Sequence, residues 1–355
     1  MTAQITGAAP GATRFPRYDA AVLGLEDYWY PVMFSRSLRP GKGVGLELFG
    51  NEVLFVRDGD TVYAIGDRCP HRGVPISMGM QLFPHTFTCG YHGWTFDLKS
   101  GTLVAALTDG PQSGICGKAG VATYRVAERA GIIWFYHGTG EPPPVERDIP
   151  PEMLAPDTAI EGRITVRAGD WRYGAENGFD ESHGKFLHRS AVWSFFSHPP
   201  AWIRTKLSQP DWRWMQRDTT EAELFGDYPG VGAWPPKRFW KIIPNYAKVA
   251  IAVPGVLRVA FAGWIHFEWY VPTVTGRHRY LQFAVKRGSP FARLRFRLRY
   301  QLMTRWLFHG QFNDQDARMV ERMRTPPEQL FAPDYSLIAW RKLCEDAIAA
   351  GGPPA

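Results

Sequence analysis

The sequence predicts two domains, the first of them all-β. Three observations lead there. At 355 residues the chain is longer than one small core needs. Between Val44 and Tyr136, short runs with alternating or β-branched patterning are separated by Gly and Asp turn signals. Glu141-Pro142-Pro143-Pro144 then marks a linker. The expected division is an N-terminal segment over 1–40 that packs with the second domain, a β domain over 41–145, and a larger domain over 146–355.

Within the first domain, Val44–Phe49, Glu52–Val56 and Thr61–Ile65 read as strands, the last two joined through Asp58-Gly59-Asp60. Thr86–Thr88 is short and β-prone. Trp94–Leu98 and Thr102–Ala105 flank a hairpin turn at Lys99-Ser100-Gly101, and Tyr124–Ala127 and Ile132–Tyr136 complete the set. In the second domain, Lys248–Val253, Leu257–Phe261, Trp264–Val271 and Tyr280–Val285 are aromatic or β-branched and bounded by Pro or Gly. The segment 291–300 is ambiguous. Its arginines alternate with period two, as in a strand, but Ser289-Pro290 before it and Gln301-Leu302-Met303 after it favour a helix, which is the expectation adopted.

Composition excludes several classes. Hydrophobic content of 45% and charged content of 21% are ordinary for a globular chain, while 14% aromatics favours thick cores or apolar cavities. Four cysteines make no disulfide framework and indicate a reducing cytoplasm; Cys116 and Cys344 are expected to be buried small hydrophobes. No apolar run is long enough for a membrane span, and 1–16 carries no signal-type apolar core. The net charge of +7 comes without a nucleic-acid motif, so an acidic protein partner is the preferred reason. Nine Lys or Arg and no acidic residue lie between Trp269 and Asn313; a solvated face, a docking surface for an acidic ferredoxin and contact with an anionic membrane surface all fit this stretch.

Two motifs carry chemistry. The first is Cys69-x-His71, then 17 residues, then Cys89-x-x-His92. Two thiolates for one iron and two imidazoles for the other are what a Rieske [2Fe–2S] centre requires. Two Cys and two His also make a structural zinc site, though zinc spacings usually differ. Glycines at 73, 90 and 93 and aromatics at 91 and 94 suit loops that bring backbone amides close to sulfur. The second motif is Asn177-x-x-Asp180-x-x-His183-x₄-His188. Two His with one carboxylate and open positions form the non-haem Fe(II) triad that activates O₂. The third ligand must come from elsewhere, and the 311–321 stretch offers Asp314 and Asp316.

With these motifs the chain from about Tyr28 to about Ala349 resembles the terminal oxygenase (alpha) component of Rieske non-haem iron aromatic-ring-hydroxylating oxygenases. Val74 and Tyr91 stand where respiratory Rieske proteins carry an extra disulfide pair. Within the oxygenases it is most similar to the carbazole dioxygenase group, through Glu176–His183, Pro254–Val259, Phe267–Pro272, Phe312–Asp316 and Ala339–Leu343. It departs from that group in having four residues, one more, between His183 and His188.

The resemblance implies an α+β fold: an all-β Rieske [2Fe–2S] domain, and a catalytic domain with a large antiparallel sheet around a long C-terminal helix. It implies Asp316 as the third ligand, because Glu321 follows it at the family spacing, with Asp314 as a cap or supporting acid. Asp180 would bridge His92 of one chain to His183 of the next in a homotrimer, and Asn177 would lie beside the iron. Electrons from NAD(P)H would arrive through a ferredoxin reductase and a ferredoxin. The expected activity is O₂-dependent dihydroxylation of an apolar aromatic or heteroaromatic ring. The alternative is monooxygenation, by hydroxylation or O/N-demethylation, of a bulky polycyclic or steroid-like substrate. An electron carrier using only the Rieske site, and a structural zinc protein, are competing readings that the second motif opposes. Trp193–Phe196 and Phe239-Trp240 are candidate pocket walls.

Overall fold

The computed structural model describes residues 14–180, 182–188, 200–224, 248–261, 263–323 and 328–352. The candidate pocket walls at 193–196 and 239–240 lie outside them.

A short helix α1 (Pro16–Ala20) leads into β1 (Tyr28–Phe34). The cluster-bearing region follows as β2 (Gly43–Leu48), β3 (Asn51–Asp58), β4 (Thr61–Gly66), β5 (Thr86–Thr88), β6 (Trp94–Asp97), β7 (Leu103–Ala106), β8 (Thr123–Tyr124), β9 (Val126–Arg129) and β10 (Ile132–His137). They form three antiparallel sheets, ordered β2-β3-β4-β8, β5-β6-β7 and β1-β10-β9. The run expected as one strand at Tyr124–Ala127 is divided: β8 pairs with β4, and β9 pairs with β10. Leu54, Ile65, Ile76, Phe87, Phe96 and both Cys69 and Cys89 make a small core of their own.

After α2 (Pro151–Leu154) comes β11 (Thr158–Ala168), and then α3 (Trp171–Phe179) and α4 (Ser182–Leu187). Strands β12 (Pro200–Ser208), β13 (Trp214–Leu224), β14 (Lys248–Ala252), β15 (Val256–Phe261), β16 (Trp264–Pro272) and β17 (Arg277–Arg287) complete a seven-stranded antiparallel sheet, ordered β11-β17-β16-β15-β14-β13-β12. Sequence patterning identified β14 to β17 and missed β11, β12 and β13.

Strand alternation gives this sheet two different faces. Trp269 of β16 meets Trp134 of β10, and Phe283 of β17 meets Phe34 of β1, with ring centroids 5.8 and 5.4 Å apart. One continuous core therefore joins the sheet to β1 and β10, and each fully buried aromatic there is worth roughly 1.5–3 kcal/mol. The opposite face carries His266, Glu268 and Tyr270, and the helices lie on it.

The expected helix at 291–300 is present as α5 (Pro290–Arg299), with Ser289 Oγ accepting the Ala292 N–H at 3.3 Å and Pro290 in the first turn. It runs on through a π-wound stretch (Tyr300–Asn313) into α6 (Asp314–Val320). The outer face of α5 and the next turns exposes Phe291, Leu294, Leu298, Leu302 and Trp306. Helix α7 (Tyr335–Ala349) ends the fold, with Arg341 paired to Glu176 of α3 at 2.7 and 2.9 Å. Cys344 is fully buried as expected; Cys116 is not, because it sits in a surface turn and is only half-buried. No helix among the described residues is long and apolar enough to cross a membrane.

Candidate metal centres

The two halves of the first motif fold into the same loop twice. The Cys69 N–H donates to Val74 O (2.9 Å) and the Gly73 N–H back to Cys69 O (2.8 Å). Likewise the Cys89 N–H donates to Trp94 O (2.8 Å) and the Gly93 N–H to Cys89 O (3.1 Å). Each loop closes through a left-handed glycine, φ +74° at Gly73 and +70° at Gly93, a conformation costing roughly 1–2 kcal/mol for a residue with a side chain. The loops bury both sulfurs and leave the imidazoles outermost. The His71 and His92 ring centroids are 4.5 Å apart, and the Trp94 indole stacks on His71 at 4.9 Å. Burial pushes the Cys69 thiol up, against the pull of the His71 and Arg72 amides directed at its sulfur. Two buried thiols facing two outward imidazoles are the donor set a [2Fe–2S] cluster of this type needs.

The second centre is assembled from α3, α4 and α6. Helix α3 starts where the Asp170 carboxylate accepts the Arg172 N–H at 2.9 Å. It presses closely on β16, since a Cβ at Gly174 would come within 2.4 Å of the Tyr270 ring. The sequence motif thus straddles the end of α3: Asn177 lies within it, Asp180 caps its C-terminus, His183 lies in α4 and His188 just after it.

His183, His188 and Asp316 each offer a ligand atom, all within 4.8 Å of one another. The Nε2 atoms of His183 and of His188 are each 3.4 Å from Asp316 Oδ1. The other ring nitrogens are held from behind: His183 Nδ1 at 3.1 Å by Asp180 Oδ2, and His188 Nδ1 at 3.0 Å by Gln315 Oε1. Each of those oxygens accepts, so Nδ1 carries the hydrogen and Nε2 turns its lone pair inward. His188 Nε2 is buried without a hydrogen-bond partner, which is costly for a polar atom and fits a metal ligand. Asn177 Nδ2 donates to Asp316 Oδ1 at 3.1 Å and steadies the carboxylate.

Asp314 is elsewhere engaged. It pairs with Arg163 at 2.8 Å and with Arg167, both on β11, and these guanidiniums hold its carboxyl below the usual range although burial opposes them. It does not cap α6. Glu321 lies 3.9 Å from Arg167 and is not one of the converging groups. Asn177 lies within α3. Gln315 was missed although it adjoins Asp316; a carboxamide beside a candidate ligand was the available signal.

Comparison with known proteins follows this geometry. Residues 28–124 match the Rieske [2Fe–2S] domain and residues 136–201 the homotrimeric ring hydroxylase family. The carbazole 1,9a-dioxygenase terminal oxygenase component CarAa of Sphingomonas sp. is 33% identical, over 92% of this chain and 92% of that protein. The chain belongs to the Rieske ring-hydroxylating terminal oxygenases. CarAa of Metapseudomonas resinovorans is 31% identical over 93% of this chain and 92% of its own length. The solved terminal oxygenase of carbazole 1,9a-dioxygenase from Nocardioides aromaticivorans IC177 superposes with a TM-score of 0.80 at 30% identity, covering 94% of this chain and 97% of that one. Similar too is the oxygenase of a reduced oxygenase–ferredoxin complex of carbazole 1,9a-dioxygenase, with a TM-score of 0.77, 27% identity and 96% of both chains covered. This Rieske oxygenase is accordingly an oxidoreductase that incorporates oxygen from O₂, and its α+β fold, with a Rieske domain and a large antiparallel sheet, is that of the carbazole oxygenases.

Proposed function

We propose that this Rieske oxygenase dihydroxylates an apolar aromatic or heteroaromatic ring. The observation that carries the reading is the convergence of His183, His188 and Asp316, with a buried, unbonded Nε2 among them. A mononuclear Fe(II) held by these three would supply O₂ activation beside the substrate. A [2Fe–2S] cluster held by Cys69, His71, Cys89 and His92 would supply the electrons one at a time.

The chain's own residues prepare the site. Asp180 and Gln315 fix the two imidazole tautomers, and Asn177 holds the Asp316 carboxylate in place. Phe312, stacked on His188 at 3.6 Å, keeps one side of the site apolar. Asp180 holds His183 with one oxygen and accepts the Ser182 N–H, at 2.8 Å, with the other. In a homotrimer His92 of a neighbouring subunit would reach Asp180 and complete a short hydrogen-bonded path. The apolar rim of the cluster loops supports this, because Met78, Met80, Leu82, Phe83 and Tyr91 are all about half exposed or more. Reducing equivalents would pass from NAD(P)H through a reductase and a ferredoxin in the cytoplasm, and the basic 277–305 surface suits an acidic carrier.

Turnover with purified reductase, ferredoxin and ¹⁸O₂ tests the reading. Two labelled atoms in one product molecule support ring dihydroxylation. One labelled atom, or release of formaldehyde, would move the assignment to monooxygenation.

A further inference from the structure

Helix α5 inverts the usual order of a surface helix, which buries its apolar stripe and shows its charges to water. None of Pro290–Arg299 is buried, and the stripe faces outward. Phe291, Leu294, Leu298, Leu302 and Trp306 follow one another at three or four residues, the spacing that keeps side chains on one helix face, and each is between 55% and 83% exposed. Arginines flank them. Arg297 is 3.6 Å from Glu161, and Arg293 donates to Pro156 O at 3.4 Å. The exposed Arg295, Arg299 and Arg305 form no ion pair among the described residues. A row of exposed apolar side chains edged by unpaired cations marks an interaction surface.

Its place in the fold narrows the choice of partner. An electron carrier has to come close to the cluster. Arg277, at the first end of β17, lies 3.6 Å from Glu47 of β2, and Glu52, opposite Glu47 on β3, pairs with Arg68 beside Cys69. Helix α5 begins beyond the other end of β17, where Arg287 meets Asp157 at 3.0 Å. A strand of 11 residues spans roughly 35 Å. The Arg277 end of the basic stretch is thus the end beside the cluster domain, and the α5 face lies away from it. A symmetric pairing with a second copy would set the same arginines against one another.

We propose that this face is an interfacial anchor for an anionic phospholipid bilayer. The helix lies flat on the membrane, with Phe291, Leu294, Leu298 and Leu302 entering the boundary between headgroups and acyl chains. Trp306 sits at headgroup level, where an indole is both apolar and a hydrogen-bond donor. Arg295, Arg299 and Arg305 meet lipid phosphates, which match a guanidinium in charge and geometry. The bilayer is also the phase in which an apolar substrate dissolves. The anchor does not rest on the ring-oxygenase reading and extends it to where the enzyme works.

Sedimentation of the metal-loaded holoenzyme with vesicles tests it, using phosphatidylcholine alone and phosphatidylcholine with about 40% phosphatidylglycerol. Wild type is expected to bind the anionic vesicles at least about tenfold more tightly, and less so as salt is raised. Arg295→Gln with Arg299→Gln should weaken that binding roughly 25-fold, about fivefold for each arginine. Leu298→Ser with Leu302→Ser should weaken it while every arginine remains. All four side chains are exposed, so the Rieske absorption and the elution volume on sizing are expected to be unchanged. Failure of wild type to bind anionic vesicles, equal binding to both kinds, or undiminished binding by either variant would overturn the proposal. A raised KM for ferredoxin in the arginine variant with vesicle binding intact would assign the face to the carrier instead, and a smaller species on sizing of the leucine variant would assign it to a second copy. Vesicle binding needs no turnover, so its failure leaves the ring-oxygenase reading standing.

Discussion

His188 Nε2 lies 3.4 Å from Asp316 Oδ1, buried and with no hydrogen-bond partner, while its Nδ1 is held at 3.0 Å by Gln315. The imidazole is oriented, desolvated and unused. That arrangement is unfavourable without a cation and favourable with one.

Removal of this imidazole should therefore separate the two centres. His188→Ala is expected to lower iron from about three atoms per chain to about two, with the Rieske absorption and EPR signals intact and oxygenation lost. A variant that keeps three irons per chain and still oxygenates would show that His188 does not hold the catalytic metal. Chelation of the mononuclear metal should also lower the Tm, because a ligand bound only by the folded state at 100 times its Kd adds about 2.7 kcal/mol.

Asn177 acts through Asp316, to which it donates at 3.1 Å. Asn177→Ala should weaken metal binding or activity roughly 10- to 100-fold. Titration of apo-protein with Fe(II), read beside kcat, checks this. An unchanged metal affinity together with an unchanged kcat would reduce Asn177 to packing.

How much of this was legible in the sequence depends on how local each feature is. The cluster loops are two short motifs, and the fold only repeats one turn around each. His183 and His188 share a single stretch with Asp180. Choosing Asp316 over Asp314 needed family spacing; in the structure Asp314 is taken by Arg163 and Arg167 of β11. That strand escaped notice because Gly162 and three charged residues interrupt its apolar pattern. Its arginines are on the sheet to meet a helix 150 residues away, which no local window displays. Helix α5 was ambiguous for the same reason: none of its residues is buried, so packing left no mark on its pattern.

Asp180 tests the path between centres. Its carboxylate sits on His183 Nδ1, and burial, which would raise its pKa, is outweighed by hydrogen bonds from His183 and Ser182 that keep it ionised. Asp180→Asn keeps the volume and an acceptor but removes the charge. Both metals should load and the cluster should reduce normally. Re-oxidation of the cluster with substrate and O₂ should slow roughly 10- to 100-fold in stopped flow. An unchanged re-oxidation rate would place the path elsewhere.

Acid sensitivity should come in part from His137, at the end of β10. Its ring stacks on Phe49 with centroids 4.0 Å apart. Burial lowers its pKa from 6.5 to about 4, and the nearby Asp27 charge offsets only part of that. Below about pH 6.5 the unfolded chain takes up a proton that the folded chain refuses. The contribution is therefore fully present above that pH, declines as pH falls from about 6.5 to about 4, and is constant below. The loss across that window is of order 3 kcal/mol. His137→Phe can still stack on Phe49 but cannot titrate. Its Tm should fall less steeply than that of wild type between about pH 6.5 and 4 and run parallel to it above. Parallel curves throughout would show that His137 is not protonated differently in the two states, and the acid sensitivity would have to come from other groups.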